Sequence, residues 1–243
     1  MSGMQMALLG SGEFDPWSEP VERWLLERSS NPDGPVLILP TASAHEGDAT
    51  FDSWGNKGME HYRRMGVPSE VVPLKVREDA SRPEIVERLS EASMVFFSGG
   101  NPARLTEVVS DTPFWTALLA SMADGVPYAG CSAGVACLTE LTFDSDSQDM
   151  EKVWAPGLGY VRNTLFGPHW DMLDTWIPGA TQFIVGSVKP GQIFVALDED
   201  TAMTGDGRSW QVMGRSGIHV LREAEWTHYA PGDSFELELP IAD

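Results

Sequence analysis

The chain has 243 residues, of which 42% are hydrophobic, and its formal net charge at pH 7 is −20. This length fits one large α/β domain, and the apolar fraction is sufficient for a sizeable core. So strong a negative charge repels the nucleic-acid backbone and anionic membranes, which excludes nucleic acid and membrane as partners.

The cysteines and the N-terminus both predict a cytoplasmic protein. Cys131 and Cys137 are the two cysteines of the chain, and their close spacing makes a disulfide between them awkward. We therefore expect reduced thiols. Residues 1–9 lack the charged start and the long apolar run of a signal peptide. No apolar stretch of the sequence approaches the length of a membrane span.

The first part of the chain, to about residue 141, alternates short apolar runs with amphipathic segments. Short strands that are apolar throughout and are separated by helices indicate a parallel sheet covered on both faces. The pattern predicts strands at residues 6–9, 36–39, 70–74, 94–97 and 127–129. It also predicts four helices. They span residues 20–28, the segment from the loop after residue 43 to residue 64, residues 82–91, and, as one long helix, the residues from about 101 to 123.

Beyond about residue 141 the pattern changes. Residues 144–151 are acidic and predict a loop, and residues 193–197 predict another buried strand. Residues 210–221 and 226–239 predict an antiparallel finish. Because no repeat or linker divides the chain, we predict one α/β domain over residues 1–243. Its expected architecture is three-layered, with a mostly parallel sheet, helices on both faces and an antiparallel C-terminal finish.

Ligands of such sheets bind beyond the carboxyl ends of the strands. Here those ends carry small or glycine-rich loops, which lie at residues 10–12, 41–43, 98–101 and 130–134. The chemistry is therefore expected at this edge of the sheet.

Residues 130–134 read GCSAG, which is the G-x-S-x-G pattern of a nucleophile elbow. A tight turn from strand to helix lifts the Ser132 hydroxyl out of the sheet, and the flanking glycines prevent a clash between a Cβ and neighbouring backbone. The pattern follows an apolar strand and precedes a helix-compatible run, which favours a functional elbow over a purely structural turn. One N–H of the loop 98–101 and that of Ala133 can form an oxyanion hole.

A serine nucleophile needs a base, and histidine is the usual one near neutral pH. His45 follows the second strand and can reach the edge of the sheet, and His169 follows a Gly-Pro pair downstream of the elbow. The other three fall in a helix, a strand and a turn-like stretch with no evident partner, and are His61, His219 and His228. The acids at residues 198–200 end a buried strand, and any of them can orient the base.

Four segments in order carry a resemblance to a known family: SGGN at 98–101, GCSAG at 130–134, PH at 168–169 and LDEDTA at 197–202. With them the chain resembles the dipeptidase E and cyanophycinase family. These are serine peptidases on a class I glutamine amidotransferase-like, flavodoxin-like α/β fold. The resemblance covers roughly residues 5–205.

The resemblance implies a role for each of five residues. It makes Ser132 the nucleophile, His169 the base and Glu199 the acid behind the base. It also implies that the backbone amides of Gly100 and Ala133 form the oxyanion hole. Neither a cofactor nor a metal ion is expected.

One departure from the family concerns the substrate. After the histidine, the family carries arginines that fit an acidic substrate, whereas residues 170–188 here contain aspartates and no arginine. Arg104 or Arg162 could replace them, or the substrate is neutral or cationic. Asn101 and Trp170 are the other candidate substrate-binding residues.

The sequence therefore predicts a serine peptidase or amidohydrolase that cleaves short peptides or related amides through an acyl-enzyme on Ser132. The alternative is a non-catalytic member of the same fold that binds a small molecule or a partner. A small peptide or amide is the expected ligand, and a homodimer is left open. A calcium loop at residues 144–151 is not expected, because it lacks the mid-loop glycine.

Overall fold

The computed structural model describes residues 4–242. The strands, in chain order, are β1 (Met6–Leu9), β2 (Val36–Leu39), β3 (Ser69–Val71), β4 (Met94–Phe97), β5 (Tyr128–Cys131), β6 (Leu141–Phe143), β7 (Trp154–Pro156), β8 (Thr164–Gly167), β9 (Ile193–Leu197), β10 (Thr201–Gly205), β11 (Ser209–Gly214), β12 (Ile218–Arg222), β13 (Glu225–Tyr229) and β14 (Ser234–Glu236).

The helices are α1 (Glu19–Leu26), α2 (Asp48–Met65), α3 (Pro83–Val86), α4 (Pro102–Val109), α5 (Pro113–Ala123), α6 (Ala133–Ala136), α7 (Leu173–Trp176) and α8 (Ala180–Ser187). Short 3-10 segments span Thr41–Glu46, Arg77–Ser81, Glu87–Glu91 and Met150–Lys152. Within residues 4–242, none of the helices combines the length and the apolar character that a bilayer crossing requires.

An eight-stranded sheet forms the centre of the molecule, in the order β14-β11-β10-β1-β5-β4-β2-β3. The strands from β1 to β3 in this order run parallel to one another. β10, β11 and β14 are antiparallel to their neighbours. The predicted α/β fold, with a mostly parallel sheet and antiparallel C-terminal strands, is confirmed.

The parallel strands are apolar throughout because both faces of the sheet are covered. In β1, Met6 and Leu8 pack in one core with residues of α4 and α5, whereas Ala7 and Leu9 pack in a second core with residues of α1 and α2. Successive strand residues point to opposite faces. The helices therefore form a layer on each side of the sheet.

The long helix predicted from about residue 101 to 123 is wrong, because the chain forms two helices there. Asp111 has a φ of 54°, and the Thr112 hydroxyl accepts the N–H of Trp115 at 3.2 Å. Pro113 then occupies the first turn of α5, where it needs no N–H donor. An N-cap threonine followed by proline starts a new helix rather than continuing the old one.

A second sheet of four strands has the order β13-β12-β9-β8. β9 runs parallel to β8 and antiparallel to β12. The segments predicted as one antiparallel finish thus divide between two sheets, with β11 and β14 in the central one and β12 and β13 in the second. This division puts the end of β8 and the turn after β9 beside the end of β5.

Candidate active site

Ser132 occupies the turn between β5 and α6. Its backbone has φ 50° and ψ −102°, a conformation that costs a non-glycine residue about 1–3 kcal/mol and that functional turns retain. A Cβ added at Gly130 would lie 2.3 Å from the carbonyl oxygen of Gly134, and one at Gly134 would lie 2.6 Å from that of Phe97. Close backbone approach therefore requires both glycines, which is the physical basis of the G-x-S-x-G pattern.

Ser132, His169 and Glu199 form a continuous hydrogen-bonded chain. Ser132 Oγ lies 2.8 Å from His169 Nε2, and His169 Nδ1 lies 3.0 Å from Glu199 Oε1. Both distances fall in the range of roughly 2.6–3.2 Å that a nucleophile, base and orienting acid need. The three side chains singled out by the resemblance are thus brought together from the ends of β5, β8 and β9.

Neighbouring residues orient the base and the acid. The Trp176 ring centroid lies 5.3 Å from that of the His169 imidazole. The backbone N–H of Glu199 donates to Asp171 Oδ1 at 2.8 Å, which ties the turn after β9 to the segment after His169. The side chains of His169 and Glu199 are 26% and 34% exposed. A substrate can therefore reach the imidazole, and the acid behind it is about one-third exposed as well.

Two backbone N–H groups beside Ser132 are free to bind a substrate oxygen. Within residues 4–242, neither Gly100 nor Ala133 donates its N–H to a protein acceptor. The preceding N–H, that of Gly99, is by contrast held by the buried carboxylate of Glu13 at 2.7 Å. This bond fixes the loop that presents Gly100.

Cys131 lies directly before the nucleophile and is fully buried. Its thiol donates to Glu13 Oε2, with a separation of 3.0 Å. Burial and the adjacent carboxylate raise the pKa of this thiol well above its ordinary value. The sulfur therefore stays protonated at neutral pH and is a poor nucleophile.

A cavity of about 310 Å³ opens at Ser132 and His169. It is lined by residues 143–154, by the end of β8 and by residues 173–184. Most of its wall is apolar or aromatic. Among the described residues that line it, Asp144 and His169 are the ones with titratable side chains, and none is arginine or lysine. No group of three His, Cys, Asp or Glu side chains within residues 4–242 is arranged to hold a metal ion.

Asn101 and Arg104, two of the candidate substrate-binding residues, are engaged within the protein. Asn101 is buried, and its Oδ1 accepts the N–H groups of the first turn of α4 while its Nδ2 donates to Asp144 Oδ1 at 2.6 Å. Arg104 Nη1 donates to Glu107 Oε2 at 2.9 Å. Asn101 therefore supports the cavity wall through Asp144 instead of lining the cavity.

Arg162 and Trp170, the other two candidates, also lie outside the cavity wall. Arg162 is exposed and lies two residues before β8 begins. The Trp170 ring packs on Phe194 and Trp226 of the second sheet, with centroids 5.0 and 5.9 Å away. Trp154 and Trp176 are the tryptophans that face the cavity.

His45 and His61 have partners other than Ser132. His45 Nε2 lies 3.1 Å from Asp146 Oδ2 at the edge of the sheet. His61 is buried in α2, and its Nε2 lies 2.5 Å from Glu22 Oε2. Burial raises the pKa of Glu22, although the hydrogen bond to His61 opposes this shift.

His219 and His228, which have no evident partner in the sequence, meet across β12 and β13. Their Nδ1 atoms are 2.5 Å apart, and His219 Nε2 lies 2.9 Å from Asp198 Oδ2. This cluster is joined to the turn after β9 through Asp198, the residue before Glu199.

Two residues of the site, Glu13 and Asp144, are not among those that the sequence predicts. Glu13 had a signal, because it directly follows a glycine-rich loop at the carboxyl end of β1. Asp144 had none, because the acidic segment 144–151 is indistinguishable in sequence from a solvated loop. Its place at the cavity depends on the hydrogen bond from Asn101.

The geometry agrees with a comparison against protein families. The model of peptidase family S51 matches residues 6–213. The chain belongs to peptidase family S51. The protein is therefore a serine peptidase that acts on peptides or related amides, and a purely non-catalytic binding role is not favoured.

This S51 peptidase is similar to several cyanophycinases. It is 27% identical over 241 residues to that of Thermosynechococcus vestitus, an alignment that covers 95% of this chain and 72% of the relative. It is 23% identical over 229 residues to that of a Nostoc species, covering 91% and 74% of the two chains.

Two solved structures are also similar to this S51 peptidase. A peptidase from an acI-B1 Actinobacterium superposes with a TM-score of 0.86 at 28% identity, over 97% of each chain. A peptidase E-type protein from Listeria monocytogenes gives a TM-score of 0.60 at 18% identity, over 94% of this chain and 98% of the other. The second match is a likeness of fold alone.

Proposed function

We propose that Ser132, His169 and Glu199 are the catalytic triad and that the enzyme cleaves short peptides or related amides through an acyl-enzyme on Ser132. The observation that carries this proposal is the chain of hydrogen bonds at 2.8 and 3.0 Å that ends at the mouth of the cavity. A nucleophile, a base and an orienting acid in this geometry are what acyl transfer requires.

In the first step, His169 Nε2 takes the proton of Ser132 Oγ as the oxygen attacks the substrate carbonyl carbon. The Glu199 carboxylate accepts the Nδ1–H of His169 and stabilises the imidazolium that forms. The carbonyl oxygen becomes negative and accepts hydrogen bonds from the N–H groups of Gly100 and Ala133. Because these amides have no internal acceptor to give up, they are already oriented for the developing charge.

In the second step, the carbon–nitrogen bond breaks and His169 gives its proton to the departing amine. The acyl group is then an ester of Ser132. His169 takes a proton from a water molecule, which attacks the ester carbonyl, and returns that proton to Ser132 Oγ as the carboxylic acid leaves. The triad ends each cycle in its starting protonation state.

Fluorophosphonate labelling tests the proposal without knowledge of the substrate, because the reagent reports an activated serine. We expect one label per chain at Ser132 by peptide mapping, and much slower labelling of the variants His169→Ala and Glu199→Gln. A wild-type protein that is not labelled, or is labelled on another residue, would refute the triad.

We further propose that the chain works as one hydrolytic domain. The site supports this, because Ser132 follows β5 of the central sheet whereas His169 and Glu199 follow β8 and β9 of the second sheet. The two sheets must fold against each other before the three side chains can meet. Limited proteolysis tests this: cleavage into two stable, separately folded parts would contradict it.

A cytoplasmic location is likewise proposed. Its support is that Cys131 and Cys137 are both free and buried, a state typical of reducing compartments. The net charge of −20 supports the exclusion of nucleic acid. A homodimer stays a prediction, which analytical ultracentrifugation would test.

A further inference from the structure

The cavity at Ser132 presents a wall of large apolar side chains. Trp154 and Phe183 come from different segments and stack, with ring centroids 6.0 Å apart and planes 15° from parallel. Trp176 and Ile177 also line the cavity, although they are 53% and 51% exposed. Large apolar side chains left open to water beside a nucleophile favour a ligand that covers them.

The volume of the cavity suits a small ligand. At about 310 Å³, it lies at the lower end of the range of roughly 300–1,000 Å³ that small-molecule sites occupy. It can hold one large side chain of a short peptide, but not an extended polypeptide.

The charge of the cavity wall excludes an acidic side chain. Asp144 is ionised at neutral pH, because the hydrogen bond from Asn101 and that from the Asp146 N–H keep the pKa of its carboxyl below the ordinary value. No arginine or lysine is among the described residues that line the cavity. A substrate carboxylate would therefore meet a like charge and no arginine or lysine among the described residues of the wall. Arg104 acts on Asp144 from outside the wall and is held by Glu107.

Asp144 keeps one oxygen free for a ligand. Its Oδ1 accepts from Asn101 Nδ2 at 2.6 Å and from the Asp146 N–H at 3.1 Å. Its Oδ2 accepts no hydrogen bond from the described residues. Asp144 lines the same cavity as Ser132 and Gly100, the proposed oxyanion-hole residue, and its carboxylate is held by Asn101, which directly follows Gly100. The α-ammonium of a peptide's first residue lies one carbon from the carbonyl of that residue.

We propose that the enzyme is selective for short peptides whose N-terminal residue has a large apolar side chain. The apolar cavity binds that side chain, and Asp144 Oδ2 accepts the free α-ammonium group. This inference rests on the proposed triad, since it assumes that the carbonyl of the first residue reacts with Ser132. It makes Asp144, Trp154 and Trp176 the residues that determine specificity.

The primary test compares kcat/KM for Phe-Ala, Leu-Ala, Ala-Ala and Asp-Ala. We expect Phe-Ala and Leu-Ala to exceed Ala-Ala by roughly 10- to 100-fold, which is what burial of a few additional apolar carbons gives, and Asp-Ala to be the poorest. A preference for Asp-Ala, or equal rates for Phe-Ala and Ala-Ala, would overturn the proposal.

The role of Asp144 is tested with Asp144→Asn on Phe-Ala and on N-acetyl-Phe-Ala. The variant keeps an oxygen for the bond from Asn101 but removes the charge. We expect KM for Phe-Ala to rise about tenfold, as for the loss of a charge-assisted contact, with no change for the acetylated peptide. An equal effect on both peptides would mean that Asp144 acts only through the loop structure.

The apolar wall is tested with Trp176→Ala, and the readout is the ratio of kcat/KM for Phe-Ala to that for Ala-Ala. Using the ratio cancels any effect of this ring on His169. We expect the ratio to fall about tenfold. Trp226→Ala is the matched control, because this exposed tryptophan packs on Trp170 outside the cavity. An unchanged ratio in Trp176→Ala, or an equal fall in the control, would show that Trp176 does not determine specificity.

Binding to Ser132→Ala separates a failure of this inference from a failure of the triad. Calorimetry should show Phe-Ala binding to this variant more tightly than Asp-Ala, whether or not the triad works as proposed. If Ser132 is labelled by the fluorophosphonate but Phe-Ala binds no better than Asp-Ala, only the specificity inference fails. If Phe-Ala is preferred but Ser132 is not labelled, the proposed triad is wrong, and the proposal that the cavity binds a large apolar side chain stands.

Discussion

The Glu13 carboxylate joins the loop that presents Gly100 to the end of β5: its Oε1 accepts the N–H of Gly99 at 2.7 Å. Its Oε2 accepts the thiol of Cys131 at 3.0 Å. Gly99 precedes Gly100, and Cys131 precedes the nucleophile. One buried side chain from the loop after β1 therefore sets the spacing between the nucleophile and the loop that presents the Gly100 amide.

Glu13→Ala should lower activity by loosening this spacing. The Gly99 amide would lose its acceptor inside the protein, which costs about 1–3 kcal/mol of the free energy of unfolding. We expect kcat to fall roughly 10- to 100-fold, with a smaller change in KM, because the oxyanion hole acts mainly in the transition state. Glu13→Gln, which keeps an oxygen for Gly99, is the control and should retain more activity. Equal kcat values for Glu13→Ala and wild type would contradict the role given to Glu13.

Replacing each of the two adjacent nucleophile candidates by alanine should have opposite effects on activity. Ser132→Ala is expected to lower kcat by roughly 10⁴- to 10⁶-fold, because it removes the atom that carries the acyl group. Cys131→Ala should keep most of the activity, because the raised pKa of its buried thiol leaves it protonated at neutral pH. Steady-state kinetics on a chromogenic amide measure both variants. An active serine variant beside an inactive cysteine variant would reverse the assignment.

Glu199→Gln should lower kcat about 10²- to 10⁴-fold, because the neutral amide no longer stabilises the imidazolium and no longer fixes the tautomer of His169. The matched control is Asp200→Asn, an equivalent change one residue later. Asp200 Oδ2 accepts from Arg215 at 3.0 Å and does not contact His169. Circular dichroism confirms folding of both. If the two variants lose activity equally, Glu199 has no special role.

Arg104→Ala and Arg162→Ala should leave kcat/KM for Ala-Ala and Asp-Ala within about threefold of wild type, because neither guanidinium lines the cavity. Arg104 is also held by Glu107. The two dipeptides are assayed side by side with each variant. A loss confined to Asp-Ala would identify that arginine as the partner of an acidic side chain.

Asp198 should make the stability of the fold sensitive to acid. Burial raises the pKa of this carboxyl, but hydrogen bonds from His219, Ser216 and the Gly217 N–H outweigh burial, and the pKa is lowered. A carboxyl with a lowered folded pKa stabilises the fold above its unfolded pKa of about 3.9. That contribution is lost as the pH falls through the folded pKa.

Asp198→Asn is therefore expected to reduce the free energy of unfolding by about 1–3 kcal/mol at pH 7. The difference from wild type should shrink as the pH is lowered below about 4. Urea unfolding at a series of pH values measures both effects. Asp124→Asn, at an exposed position, serves as the control and should track wild type. A difference that does not depend on pH would contradict the role of the charge.

The sequence by itself determined the elbow and the parallel core. Backbone contacts within the turn and with the adjacent strand require glycine at positions 130 and 134. The pattern around Ser132 can therefore be recognised from the sequence alone. The sequence also predicts the central parallel strands β1, β2, β4 and β5. Because both faces of these strands are buried, they read as continuous apolar runs with no position for a polar side chain.

The residues by themselves left the acid open among residues 198–200, and the resemblance alone pointed to Glu199. The contacts that select it and the composition of the cavity come only from the tertiary structure. The consecutive acids at residues 198–200 each have a different partner, namely His219, His169 and Arg215. Their directions depend on the turn between β9 and β10 and on pairing between strands distant in sequence. The cavity wall likewise combines residues 143–154 with residues 173–184. Such contacts carry no local signature, because side-chain periodicity records which face of an element is buried and not what it is buried against.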